Sequence, residues 1–312
     1  MNMPTFALSL RGLTKRFGDV VAVAGIDLDV RPGECFGLLG PNGAGKTTTI
    51  EICEGLTAAD SGEVEVLGHG WSGNGRALRE RLGIQLQDTQ LSEKLTVEET
   101  LRLFRSFYSR GHAVSTIIEL VQLDEKRRAR VGTLSGGQKQ RLALGCALVG
   151  DPELIFLDEP TTGLDPQARR QVWELVERLQ SRDRTIMLTT HYMEEAERLC
   201  DRVAIMDHGR IIALGTPREL IAGLGAGQVV FFSVADDAAL SVEAIAQAVN
   251  SLRPAHAIDG GWELQVAAPH QAVPALLVEL ARQGVSLAEL RTHSPTLEDV
   301  FVSLTGRALR DG

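Results

Sequence analysis

The segment "CFGLLGPNGAGKTT" (Cys35–Thr48) is an apolar run that breaks into a glycine-rich turn and ends on a lysine and two threonines. Cys35–Gly40 reads as a buried strand, and Gly40–Thr48 fits G-x-x-x-x-G-K-[ST] at every position. The spacing has a physical reason. Glycines let consecutive backbone N–H groups curl round a polyphosphate without side-chain clash, and the helix that follows points its positive end at the same anion. Lys46 would reach the terminal phosphates and Thr47 would offer a hydroxyl to Mg²⁺. Asn42, Gly43, Gly45 and Thr48 complete the candidate cradle. A glycine-rich turn that binds nothing is the plainer alternative. The strand just ahead of it supplies the context that phosphate binding requires.

The rest of the chain is consistent with a globular protein built round that turn. Its 312 residues suggest about two domains, and 44% hydrophobic with 23% charged residues is an ordinary globular mix. A net charge of −9 argues against nucleic-acid binding through a basic surface. Met1–Gly18 carries no secretory pattern, and no window approaches the roughly 18 apolar residues of a membrane span. Cys35, Cys53, Cys146 and Cys200 stand far apart with no metal spacing and read as small buried hydrophobes in a reducing compartment.

Along the chain, β-type runs with Gly and Pro punctuation fill the first part, and residues from about 90 to 150 read as a helical insertion. Thr96 with Glu99 is a capping-box start, followed by Val97, Leu101, Phe104 and Tyr108 at helical spacing. "ELIFLDEP" (Glu153–Pro160) and "RTIMLTTH" (Arg184–His191) read as buried strands, and "RVAIMDHGRIIALG" as a hairpin about Asp207–Gly209. The expected core is α/β: a mainly parallel sheet with helices on both sides and a β-rich N-terminal part. A glycine-rich joint, "IAGLGAGQ" (Ile221–Gln228), divides residues 1–222 from a region 223–312. That region reads strand, helix, strand, strand, helix, strand, the order of a small ferredoxin-like α+β unit. A last helix begins near Pro295, read as a first helical position, with Thr296 and Asp299 as a cap. Its apolar residues Leu297, Val300, Phe301 and Leu304 need cover, from a second copy or from the first domain.

Four further features bear on chemistry. Asp158 and Glu159 end an apolar strand, a costly place for two acids unless they work. Asp158 suits a Mg²⁺ shell and Glu159 a general base for an attacking water. His191 ends the next strand, where α/β sheets bind ligands. It can orient water beside a γ-phosphate, or it can be structural. Gln87 is a weaker candidate because Gln85 and Gln90 compete with it. Last, "TLSGGQKQRLALG" (Thr133–Gly145) opens a second helix with a capping box, Ser135 with Gln138. Gly136 and Gly137 after the cap suggest bare N–H groups and a second anion cradle. Since the loop at Lys46 already holds the chain's own phosphates, this cradle most economically faces the nucleotide of another copy.

Taken together, the phosphate loop, "LSGGQ", "LIFLDEP", "GLDP" and "TTH", in this order over about residues 5 to 220, resemble the ATPase subunit of ATP-binding cassette (ABC) transporters. The resemblance implies ATP and Mg²⁺ as ligands and a head-to-tail homodimer. It also implies a separate integral-membrane permease that holds the chain on the cytoplasmic face of the cell membrane. Phe17 in "KRFGD" then fills the adenine-stacking position, where the family often has tyrosine. Glu159 matches the catalytic glutamate and His191 the switch histidine. Gln87 matches the glutamine that touches the metal and couples nucleotide to the permease. Asp165 in "GLDP" matches the loop crossing the dimer interface, and Ser135, Gly136, Gly137 and Gln138 the signature completing the partner's site. "SPTLEDVFVSLTGR" (Ser294–Arg307), "GIQLQD" and "THYMEEAERLCDRVAIMDHG" are similar to the daunorubicin-resistance kind of exporter ATPase. That subgroup implies export of a drug, antibiotic or other hydrophobic compound. The competing readings are a soluble ABC ATPase acting on ribosomes or DNA, and a phosphate-loop kinase or GTPase. The first lacks a second cassette or a long coiled coil here, and the second leaves "LSGGQ" unexplained.

Overall fold

The computed structural model describes residues 6–73, 75–87, 89–180, 184–224, 227–235, 240–258 and 260–305. Of the segments read above, Met1–Thr5, Asp88, Gly225 and Ala226 of the joint, Asp259, and the tail from Gly306 lie outside the described residues. The chain divides into two compact units, Met1–Thr216 and Pro217–Gly312.

In the first unit, β1 (Leu8–Phe17) and β2 (Val20–Val30) form an antiparallel hairpin. β3 (Cys35–Leu39) leads through the glycine-rich turn into α1 (Lys46–Cys53), and β4 (Ser61–Val66) returns to pair with β1. Next come α2 (Gly75–Arg79), β5 (Leu82–Gln85), and the helical stretch α3 (Val97–Arg105), α4 (Val114–Leu120) and α5 (Gly136–Leu148). β6 (Leu154–Asp158), α6 (Pro166–Gln180), β7 (Thr185–Thr190), α7 (Met193–Leu199), β8 (Arg202–Asp207) and β9 (Arg210–Gly215) complete the unit. The strands sort into a three-stranded sheet, β2-β1-β4, and a six-stranded sheet, β5-β6-β7-β3-β8-β9. The larger sheet is parallel except for the β8–β9 hairpin.

The apolar runs explain why this sheet is central. Every residue of β3, β6 and β7 is buried, as strands covered on both faces must be. The capping boxes form as the spacing predicts: Thr96 with Glu99 starts α3, and Ser135 with Gln138 starts α5. On α5, Leu142, Leu144 and Ala147 are buried. Arg141, a charged residue in the same segment, does not stay in solvent. It too is buried, and its guanidinium donates to the carbonyls of Val121 and Gln122 at the end of α4 (2.9 Å each). A charged side chain is tolerated there because it satisfies carbonyls that a helix C-terminus leaves bare.

The second unit contains α8 (Pro217–Ala222), β10 (Gln228–Val234), α9 (Val242–Ala248), β11 (His256–Ile258), β12 (Gly261–Val266), α10 (Pro269–Gln283), β13 (Leu287–His293) and α11 (Leu297–Thr305). Its sheet runs β11-β12-β10-β13 with every pair antiparallel. This is the arrangement expected of a ferredoxin-like βαββαβ unit. Val230, Phe232, Leu264 and Val266 of the sheet form one core with Ile245 of α9 and with Leu276 and Leu280 of α10. α11 packs against α8 and buries Leu297, Val300 and Phe301. The cover for this apolar face is therefore an element of the same unit. Leu304, grouped with them by spacing, is 49% exposed. Pro295 precedes the helix instead of opening it, because Thr296 is the cap: its backbone N–H donates to Asp299 Oδ2 (2.6 Å).

Candidate functional site: a phosphate loop facing two acids

Sheet order builds the site. β5, β6, β7 and β3 are successive neighbours, so their carboxyl ends lie side by side. Gln87 follows β5, Asp158 and Glu159 close β6, His191 follows β7, and the glycine-rich loop follows β3. The register is explicit. Asp158 pairs with Thr189 and Leu39 with Thr190, which sets acids, histidine and loop at one level. The carboxyl edge of a parallel sheet is where such folds bind ligands.

The loop is pinned from outside. Gly45 is the N-cap of α1 with φ 101°, and a Cβ there would stand 2.2 Å from the Ala22 carbonyl oxygen of β2. Only glycine fits, and the contact draws the β1–β2 hairpin against the loop. Phe17, at the end of β1, is 52% exposed, with the Lys15 ammonium 5.3 Å from its ring centroid; an exposed ring is the kind a planar base stacks on. Asn42 and Gly43 are exposed, and Thr47 and Thr48 are half-buried in the first turn of α1. The Lys46 ammonium is buried. It donates to the carbonyls of Gly40 (2.8 Å) and Pro41 (3.2 Å), and stands 3.4 Å from Glu159 Oε1. Burial pulls its pKa down, with Glu159 opposing.

Glu159 is the hub. Gln87 Nε2 donates to its Oε2 (3.4 Å), and the Thr162 hydroxyl donates to the same oxygen (3.0 Å). His191 Nδ1 lies 3.3 Å from the same oxygen. The nearby His191 ring, then Lys46 and Thr162, hold the Glu159 carboxyl down at about 2 against the opposite pull of burial. Its backbone sits at φ 46°, the left-handed region that non-glycine residues rarely occupy. Strain of this kind persists where surrounding structure enforces a side-chain direction. Here the enforcing contacts are Glu159 N–H bonds to the hydroxyl and the carbonyl of Thr189 (3.0 and 3.2 Å). Asp158 accepts a short hydrogen bond from the Thr189 hydroxyl. Burial and the adjacent Glu159 push its carboxyl pKa up, while the hydroxyls of Thr189 and Thr47 and the charge of Lys46 oppose them.

The signature segment is engaged elsewhere. Ser135 and Gly136 are exposed and Gln138 is half-buried, whereas Gly137 is buried. The expectation that Gly136 and Gly137 alike stand bare meets a buried Gly137. A Cβ on Gly137 would stand 2.6 Å from the Ala168 Cβ of α6, so this glycine serves close helix packing. Asp165 is tied to the same place. Its Oδ1 accepts from the N–H groups of Gln167 and Ala168 (3.0 and 2.9 Å), capping α6. Lys46, Gln87, Glu159 and His191 interact with one another and make no hydrogen bond or ion pair to Ser135–Gln138 among the described residues.

Sequence reading missed Thr189, Thr162 and Glu54. The two threonines are visible as "TTH" and "TT" beside the recognised residues, yet their partners depend on strand register. Glu54, just past α1, is fully buried with both carboxylate oxygens unpartnered among the described residues. Burial, then the charges of Asp158 and Glu51, push it up to about 8. An acid raised above its unfolded value of about 4.3 destabilises the folded state increasingly as pH climbs from that value toward about 8. Glu54→Gln should therefore melt higher than the parent at pH 8.5, by about 1–3 kcal/mol, and the gap should close at pH 5. Equal melting curves at both pH values would show that the carboxyl is not buried as described.

A buried lysine in a glycine loop, an adjacent acid pair and a histidine at one sheet edge define the nucleoside-triphosphate-hydrolysing class of phosphate-loop proteins. Comparison with known proteins places the chain within it. Residues 23–162 match the family model described as "ABC transporter". A "Nod factor export ATP-binding protein I" of Burkholderia lata is 42% identical, covering 99% of this chain and 100% of its own. Its counterpart in Rhizobium sp. (strain N33) is 40% identical, over 98% and 99% of the two chains. Among solved structures, an "ATP binding subunit of ABC transporter" matches at TM-score 0.64 and 29% identity, over 70% of this chain and 93% of that one. A dimeric bacterial ABC transporter cassette matches at TM-score 0.60 and 25% identity, over 67% and 98%. The chain belongs to the ABC transporter family, as an ATP-binding and ATP-hydrolysing subunit.

Proposed function

We propose that this chain powers an exporter, working as a head-to-tail homodimer on the cytoplasmic face of a separate integral-membrane permease. The observation that carries the reading is Glu159, held ionised between Lys46, Gln87 and His191 at one sheet edge. A base so placed acts on water beside a phosphate cradled by Asn42–Thr48. The residues fit Mg²⁺: Thr47 and Asp158 offer hard oxygen ligands, and the Gln87 amide oxygen remains available after its N–H₂ meets Glu159. When bound, the ion would neutralise developing charge on the phosphates. Phe17 stacks on the base, and the Ser135–Gln138 turn with Asp165 serves the nucleotide of the second copy.

The permease reading is supported by the relatives' names, which speak of export. It is also supported by exposed Leu86, Leu103 and Phe107 on and near the helical stretch that follows β5. No helix among the described residues is long and apolar enough to cross a membrane. The cargo is a drug, antibiotic or other hydrophobic compound selected by the permease, since the site described here is shaped for phosphates. The first unit performs the chemistry, and the second, which begins at Pro217 ahead of the glycine-rich joint read as the boundary, is an accessory domain.

Reconstitution tests this. The chain and its co-purifying membrane protein, in sealed vesicles, should move a hydrophobic dye in an ATP-dependent manner that Lys46→Ala abolishes. A chain that hydrolyses ATP on ribosomes or DNA, with no membrane partner, would instead support the soluble alternative.

A further inference from the structure

In the second unit, one face of the sheet gathers groups that its core does not use. Val230, Phe232, Leu264 and Val266 point into the core with α9 and α10. The alternate residues therefore lie on the other face. Glu263 of β12 stands there, paired across strands with His256 of β11 and with Phe231 of β10. His293 of β13, paired with Val229, shares the face. α11 brings Asp299 to the same place: its Oδ2 is occupied in capping, accepting from the N–H and hydroxyl of Thr296 (2.6 and 2.9 Å), while Oδ1 lies 3.4 Å from His293 Nε2. One ligand atom each from Glu263, His293 and Asp299 lie within 4.8 Å of one another.

Local structure accounts for part of this cluster. Capping explains Asp299, and the Asp299 carboxylate explains the place of His293. Glu263 is left over: its carboxylate has no hydrogen bond or ion pair among the described residues and faces another carboxylate. A second observation points to a ligand. Glu263 and Asp299 border a cavity of about 400 Å³, and His256 on its wall has an Nε2 atom shut off from solvent with no hydrogen-bond partner among the described residues. Two carboxylates and an imidazole converging beside a cavity, with a further imidazole nitrogen unclaimed, make a donor set in need of a cation.

We propose that the C-terminal unit binds a divalent transition-metal ion, Zn²⁺ by the chemistry of its donors, between Glu263, His293 and Asp299. Donor atoms round a tetrahedral zinc stand roughly 3.3 Å apart, from bond lengths of about 2.0–2.1 Å. The His293–Asp299 separation already matches that spacing, and the Glu263 carboxylate, within 4.8 Å of both, would turn inward to complete the set. A mixed nitrogen and oxygen set without thiolates suits Zn²⁺, whereas Mg²⁺ and Ca²⁺ favour oxygen alone. Three protein ligands leave a fourth position open toward the cavity that His256 lines. Since the ligands come from β12, β13 and α11, the ion would clasp the last helix onto the sheet. The site is separate from the phosphate loop and needs neither ATP nor a permease.

The test uses the full-length chain without an affinity tag, stripped with chelator and titrated calorimetrically with ZnCl₂ in millimolar MgCl₂. One zinc should bind per chain, and zinc but not added magnesium should raise the melting temperature. Glu263→Gln and His293→Gln should each weaken zinc binding by about tenfold or more. Both should leave the circular dichroism spectrum and ATP binding unchanged. Should one variant fail to fold, Asp299→Asn, which keeps a capping oxygen, takes its place. Absence of stoichiometric zinc binding to the parent would overturn the proposal, as would variants that bind zinc as tightly as the parent.

Discussion

Glu159→Gln should slow ATP hydrolysis by about 10²–10⁴-fold while ATP still binds, a rise of about 2.7–5.4 kcal/mol in the barrier. The amide oxygen can still accept from Thr162 and Gln87, and although its N–H₂ then replaces the oxygen facing Lys46, that ammonium keeps its bonds to the Gly40 and Pro41 carbonyls, so the loop should hold its geometry. What is lost is a carboxylate able to take a proton from water. The nucleotide-bound dimer should then accumulate, visible by size exclusion in the presence of ATP. Single-turnover hydrolysis near the parent rate would remove Glu159 from the role of base. The pH dependence follows from the same contacts. A carboxyl held at about 2 stays ionised throughout the neutral range, so Glu159 does not set an acidic limb of activity there. Its stabilising effect on the fold is complete above its unfolded value of about 4.3 and is lost as pH falls toward about 2.

Ser135→Arg should abolish hydrolysis while monomers still bind ATP. Its side chain caps α5 and makes no contact with the residues round Lys46, so nothing in the chain's own cradle should change. Loss of a preorganised donor to a reacting phosphate lowers turnover by about 10²–10³-fold, and the arginine also obstructs the approach of a second copy. Mixing Ser135→Arg with Lys46→Ala chains sharpens the test, since the mixed dimer keeps one composite site intact. Equilibrium ATP binding to each monomer is the deciding measurement. If Ser135→Arg loses affinity as badly as Lys46→Ala, the turn belongs to the chain's own site and the trans reading is wrong.

The sequence made the frame of the site legible because its signals are local. A glycine loop after an apolar run, two acids ending another, and a serine–glutamine capping box each sit within a few residues. What it did not disclose depends on pairings set by the fold. Thr189 meets Asp158 only because β6 and β7 pair in that register, 31 residues apart in the chain. Gly137 looked like an opening for an anion until Ala168 of a different helix proved to abut it. Arg141 is charged and would ordinarily stay in solvent, yet the carbonyls of Val121 and Gln122, at the end of α4, draw it inward. Glu54 gave no warning, since an acid after a helix is ordinarily solvated. The sequence offers α11 cover only from another copy or from the ATPase core, because the short helix α8 falls just ahead of the glycine-rich joint and reads as part of the first domain; the structure packs α11 on α8.

The contact between Gly137 and Ala168 has a consequence for timing. Ala168 lies in the first turn of the helix that Asp165 caps, and six residues before Asp165 is Glu159. If the Ser135–Gln138 turn serves a second copy's nucleotide, as proposed, one close helix crossing and a short loop would link it to the acid beside the chain's own phosphate loop. Each subunit would then sense its neighbour through the position of a helix.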